Sequence, residues 1–99
     1  RCPVADVTYA DALAALRAEC GEPTYEREAG GSHDAMWGSV VAASVELNDI
    51  FGEVWIEASD AAGATYVRRL AGEVQPPDAP LTPLADAVRD AGAWLRGAR

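Results

Sequence analysis

Lysine is absent from this 99-residue chain, whose basic complement is eight arginines against 16 acidic residues, a formal net charge of -8. A domain that grips nucleic acid needs a basic stripe to displace counterions from phosphates. Here the arginines are scattered among acids, so nucleic acid is not expected as a partner. The carboxylates are spread along the whole chain rather than arrayed at phosphate-like intervals, so their expected role is solubility rather than mimicry of DNA.

Histidine occurs once, at His33, and cysteine twice, at Cys2 and Cys20. Zinc and redox sites draw on close ligand pairs such as C-x-x-C, and none is present, so no metal or cofactor is expected. No apolar run approaches the roughly 18 residues that span a bilayer, and no charged-then-apolar leader opens the chain. The expectation is a soluble, cytoplasmic protein with no membrane contact. Secretion is the alternative if Cys2 and Cys20 are bridged. Such a bridge is within reach, because six extended residues cover up to ~20 Å and a 12-residue helix is ~18 Å long.

What is present suits an ordinary folded domain: 49% hydrophobic and 24% charged residues, too apolar for disorder. The length suits one domain over residues 1–99. Arginine without lysine, together with abundant alanine, gives a bacterial-like, GC-rich composition.

The first helix is marked at both ends. Thr8 can cap the Asp11 amide, and Tyr9, Leu13, Leu16 and Cys20 recur on one helical face. Gly21 and Pro23 stop it, so a helix over 9–20 follows an extended arm over 1–8. At the other end, Thr82 as cap and Pro83 at the first helical position open a second helix. Its stripe is Leu84, Val88, Ala91 and Leu95, and Gly97 closes it. A proline-rich connector over 74–83 leads into it.

Between the helices the apolar period shortens to two. Val41, Ala43, Val45 and Leu47 share one face of a strand, as do Val54, Ile56 and Ala58 of the next. A four-residue loop over 49–52 pairs Leu47 with Val54 and Val45 with Ile56. A second four-residue loop over 60–63 sets Thr65 opposite Ala58 and Val67 opposite Ile56. A charged segment over 23–29 reads as an edge strand, joined through GGSHD to a partner beginning near Met36. The expected fold is a two-layer α+β domain, a four-stranded antiparallel meander between two helices, in the order α-β-β-β-β-α.

The run Ser32-His33-Asp34 invites a catalytic reading, but consecutive residues diverge and cannot form a relay among themselves. Cys20 lies on an apolar helix stripe, where a thiol is inert. Gly30 and Gly31 lead into a strand rather than a helix, so they do not build a phosphate loop. No catalytic residue is assigned, and the chain leans away from being an enzyme.

The expected register puts Trp55 opposite Arg68 and Glu57 opposite Tyr66 on an outer sheet face, with Glu53 nearby. Trp, Tyr and Arg are the types enriched in binding hot spots. Trp55, Tyr66 and Arg68 are therefore the candidate anchors, with Glu53 and Glu57 complementing a basic protein partner. The expected function is a non-catalytic protein-interaction module of accessory, inhibitor or immunity type. The alternatives are a small-ligand domain or minor enzyme, with His33, Asp34 and Trp37 as ligand or rim residues at a pocket between sheet and helices, and a homodimerisation domain.

Overall fold

A computed structural model describes residues 7–39, 41–72 and 79–97. Helix α1 spans Tyr9–Cys20, followed by strands β1 (Tyr25–Ala29), β2 (Ser32–Gly38), β3 (Ala43–Ile50), β4 (Glu53–Asp60) and β5 (Thr65–Ala71), then helix α2 (Leu84–Leu95). The α+β meander between two helices is as expected, but among the described residues it has five strands rather than four, all antiparallel in the order β1-β2-β3-β4-β5.

The extra strand comes from Gly30-Gly31. Both glycines take positive φ, 54° and 93°, which is the backbone of a two-residue hairpin whose twist matches the strands it joins. The turn is finished by residue 31, so Ser32, His33 and Asp34 belong to β2 rather than to a loop. A second reversal follows. Gly38 at φ 89° and the bond from the Ser39 amide to the Ala43 carbonyl divide what reads as one long strand into β2 and β3.

α1 begins and ends where its caps require. The Asp11 amide donates to Thr8 Oγ1 at 3.1 Å, and the Gly21 amide donates to the Arg17 carbonyl. α2 starts differently from expectation. Thr82 is held to the sheet edge through its amide, which donates to the Arg69 carbonyl, and its hydroxyl donates to the Pro80 carbonyl. Pro83 is the N-cap and makes no side-chain capping bond.

Both helices lie on one face of the sheet. Ala12 and Leu16 of α1 and Ala87, Val88 and Ala91 of α2 join Ala35, Trp37, Val45, Leu47, Val54, Ile56 and Ala58 in a single core. The inward residues of neighbouring strands pair directly: Trp37 with Val45, Ala35 with Leu47, Leu47 with Ile56 and Val45 with Ala58. Each fully buried aliphatic side chain contributes about 1.5–3 kcal/mol. At the helix crossing Gly92 leaves room for Glu19, whose carboxylate occupies the space a Cβ would take.

Two turn lengths differ from expectation, with different consequences. Phe51-Gly52 closes β3 and β4 in two residues, pairing Ile50 with Glu53. That moves the register by two positions and keeps every side chain on its expected face. The β4–β5 connection is one residue longer than expected, pairing Ser59 with Thr65. Asp60 builds it: its Oδ1 accepts from the amides of Ala62 and Ala64, and Gly63 takes φ 90°. A one-residue slip turns every side chain over. Tyr66 therefore pairs with Ala58 and Arg68 with Ile56, both on the helix side.

No helix among the described residues is long and apolar enough to cross a membrane. The arm over 1–6, Cys2 with its proposed bridge to Cys20, and most of the proline-rich connector lie outside the described residues.

Candidate functional site

The sheet face turned away from the helices is assembled by register. One row crosses all five strands: Tyr25 beside Met36, Met36 beside Glu46, Glu46 beside Glu57, and Glu57 beside Val67. The next row runs Arg27, Asp34, Asn48, Trp55 and Arg69. A trough of about 530 Å³ follows the first row, lined by Tyr25, Met36, Ser44, Glu46, Glu57 and Val67 among others. A second, of about 300 Å³, lies beside Arg27, Ser32, Asp34, Asn48 and Ile50.

The unusual element of this face is the pairing of Glu46 directly with Glu57. Like charges opposite one another on adjacent strands repel and destabilise a sheet. Each is held by a neighbour: the Tyr25 hydroxyl donates to Glu46 Oε2 at 3.2 Å, and the Trp55 indole N–H donates to Glu57 Oε1 at 2.8 Å. Tyr25 ionises above its ordinary range, first because its environment is partly desolvated and then because the Glu46 carboxylate faces it. The two arginines of the neighbouring row are engaged elsewhere. Arg27 forms a bidentate pair with Asp34, and Arg69 donates to the carbonyls of Ala79 and Gly72.

The residues singled out from sequence are divided by the fold. Trp55 and Glu57 do lie on the outer face, with Glu53 on the same face opposite Ile50. Trp55 is only 7% exposed, so it positions Glu57 rather than presenting its ring. Across from Trp55 stands Arg69, not Arg68. Tyr66 and Arg68 belong to the covered face. The Tyr66 ring meets Trp94 of α2 edge to face at 5.1 Å, and the Arg68 guanidinium lies 4.7 Å over the same ring. Burial pushes the Tyr66 hydroxyl up to about 12, with the Asp90 carboxylate adding to the rise and Arg68 opposing it. Trp94, for its part, donates its indole N–H to the Ser59 carbonyl from the helix side.

His33, Asp34 and Trp37 likewise fail to meet at one pocket. Trp37 is core, with its indole N–H donating to the Gly21 carbonyl at 2.7 Å. Alternation along β2 puts Asp34 on the outer face with Arg27, and His33 on the inner. There the His33 ring is stacked 4.9 Å from Tyr9, its Nδ1 3.1 Å from Asp49 Oδ2 and its Nε2 3.2 Å from Glu28 Oε2. Asp49 is buried and also accepts from the Gly52 amide. Burial and the carboxylates of Glu26, Asp34 and Asp49 push the Tyr9 hydroxyl up to about 12.

The imidazole is oriented by Tyr9, Asp49 and Glu28, and neither Ser32 nor Cys20 stands beside it. Ser32 points to the opposite face and its hydroxyl donates to the Ala29 carbonyl. Cys20, half-buried, lies at the far end of α1, eleven residues from Tyr9 and so ~16 Å along the helix. Its thiol is raised by burial and by Glu19, the direction that suppresses thiolate chemistry. Among the described residues no group of three or more His, Cys, Asp or Glu side chains is arranged to hold a metal ion.

Sequence reasoning missed the Glu46–Glu57 pair and the Asp49–His33–Glu28 bracket. Reading Phe51-Gly52 as a two-residue turn gives the Glu46–Glu57 pair and reading Gly30-Gly31 as one gives Glu28 beside His33, whereas Asp49 meets His33 only through the β2–β3 register. Comparisons with protein-family models, with curated proteins and with solved structures each return no match.

Proposed function

We propose that this domain is a non-catalytic protein-binding module that docks a basic partner on the sheet face turned away from the helices. The observation that carries the reading is the Glu46–Glu57 pair in the floor of the trough. Two facing carboxylates with no cation between them among the described residues cost stability in the free protein. An arginine or lysine from a partner relieves that repulsion on binding, so the cost returns as affinity and selectivity for positive charge. Tyr25 and Met36 supply an apolar flank, and the Trp55 indole N–H fixes Glu57 from the neighbouring row. Glu53 extends the acidic surface along the same face. Tyr66 and Arg68 act in this reading by packing the covered side.

The test is Glu46→Lys/Glu57→Lys. A partner retained by the parent protein from cell extract is purified, and its Kd is measured against both forms. A loss of at least about tenfold is expected, since interfacial charge reversal replaces attraction by repulsion. Equal affinity would overturn the reading.

A further inference from the structure

The two edges of the sheet are finished differently. The β5 edge is occupied: Arg69 bridges Leu81 in parallel, the Arg69 amide donates to the Pro80 carbonyl, and the Thr82 amide returns to the Arg69 carbonyl. The β1 edge has no pairing other than with β2 among the described residues. All five of its residues are exposed. Proteins blunt such an edge with charged side chains, proline or a bulge. Tyr25–Ala29 has no proline and its register with β2 runs without a break; what guards it is charge, two glutamates around Arg27, which repels acidic strands and admits basic ones.

The hairpin fixes which backbone groups are on offer. In a two-residue hairpin the flanking pair, Ala29 and Ser32, exchanges both hydrogen bonds, and the bonding alternates from there. Arg27 therefore bonds inward to β2. The N–H and C=O groups of Glu26 and Glu28 point away from the sheet, and their side chains lie on the helix side, reaching Arg17 and His33.

We propose that this edge takes up an extended segment of a partner protein carrying basic residues at alternating positions, which adds to the sheet as a further strand. Backbone groups of Glu26 and Glu28 supply the hydrogen bonds, and their carboxylates select the side chains opposite. A second copy of the same chain is a poor occupant. Any antiparallel pairing of two β1 strands that keeps the faces aligned puts a glutamate opposite a glutamate or Arg27 opposite Arg27, because acids and arginine alternate in Glu26-Arg27-Glu28. The proposal rests on the reading of the domain as a protein-binding module, but on different groups from those of the trough. Glu46→Lys/Glu57→Lys leaves the edge intact, so the two can fail separately.

The test uses the full chain, labelled for NMR, and two blocked heptapeptides, one alternating lysine with valine and the other glutamate with valine. Amide hydrogen exchange is followed at Glu26 and Glu28. The lysine peptide is expected to protect both amides and to bind about tenfold or more tightly than the glutamate peptide. Glu28→Pro removes one outward donor without touching the β1–β2 ladder and is expected to abolish protection. Glu26→Lys/Glu28→Lys keeps every backbone donor and is expected to reverse the peptide preference, which serves if the proline variant does not fold. Four results would overturn the proposal: no protection, equal affinity for the two peptides, amides already protected in the free protein, or a concentration-dependent dimer that Glu28→Pro disperses.

Discussion

The two faces of the sheet are woven from the same strands, yet they obey opposite rules. On the covered face, Trp37, Val45, Leu47, Val54 and Ile56 are sealed under both helices, and even the polar residues there are bonded or stacked: His33 against Tyr9 and Asp49, Arg68 over Tyr66. On the open face two glutamates stand opposite one another, a half-buried methionine lies beside an exposed tyrosine, and troughs follow the rows. The difference teaches that most of the buried apolar core lies on one side of the strands, Trp55 excepted, which leaves other alternate positions to carry an arrangement that is unfavourable until something binds it.

That contrast can be broken most directly in the core. Leu47→Ala, at a fully buried position between Ala35 and Ile56, is expected to lose about 3 kcal/mol in urea unfolding, from lost transfer energy and the cavity left behind. A loss under about 1 kcal/mol would mean that the covered face is not the stabilising one.

The tyrosines sharpen the comparison through pH. Tyr9 and Tyr66 are pushed up to about 12 from an ordinary value near 10. The fold holds both phenols neutral, so their contribution is fully present below pH 10. It falls as pH rises from 10 towards 12, where the unfolded chain ionises and the folded one does not. Unfolding measured at pH 9 and pH 12 should show a drop that shrinks in Tyr9→Phe and Tyr66→Phe and changes less in the exposed Tyr25→Phe. Tyr66→Phe has a second effect. Its hydroxyl is buried without a hydrogen-bond partner among the described residues, so its removal should leave stability at pH 7 unchanged or slightly higher.

At the tip where the faces end, Phe51 takes φ 50° at the first position of a two-residue turn while 80% exposed. Asparagine adopts that left-handed backbone more readily. Phe51→Asn is expected to raise stability by about 0.5–1 kcal/mol, with the contact between the Phe51 ring and Gly31 as the opposing loss. The smallest effect is on the open face. Glu57→Gln should change stability by no more than a few tenths of a kcal/mol, towards stabilisation, by removing one of two facing charges. A loss above 1 kcal/mol would show that Glu57 supports the fold.

Much of the frame was legible in the chain. The α1 limits follow from Thr8, the Tyr9–Cys20 stripe and Gly21, and the strands follow from strict alternation around Val45, Leu47, Val54 and Ile56. What stayed hidden was turn length. At Phe51-Gly52 the turn is two residues shorter than the pattern suggests, which alternation forgives. At Asp60–Ala64 it is one residue longer, because the carboxylate of Asp60 collects two amides across the turn, bonds that no hydrophobic pattern encodes. Tyr66-Val67-Arg68-Arg69 could not correct it, since either alternate pair offers an apolar body with a polar end. A candidate anchor cluster of Trp55, Tyr66 and Arg68 was therefore split between the two faces. The pair that replaces it, Glu46 and Glu57, becomes visible only once the β3–β4 register is known.

The most direct test of the divided sheet is carboxyl footprinting. The protein is treated with carbodiimide and glycine amide, alone and bound to the basic partner recovered as described above. If the open face is the docking surface, Glu46 and Glu57 will label in the free protein and be protected in the complex, while the exposed carboxylates of Asp11 on α1 and Asp90 on α2 label equally in both. Protection of Asp11 or Asp90 with unchanged labelling of Glu46 and Glu57 would contradict the account.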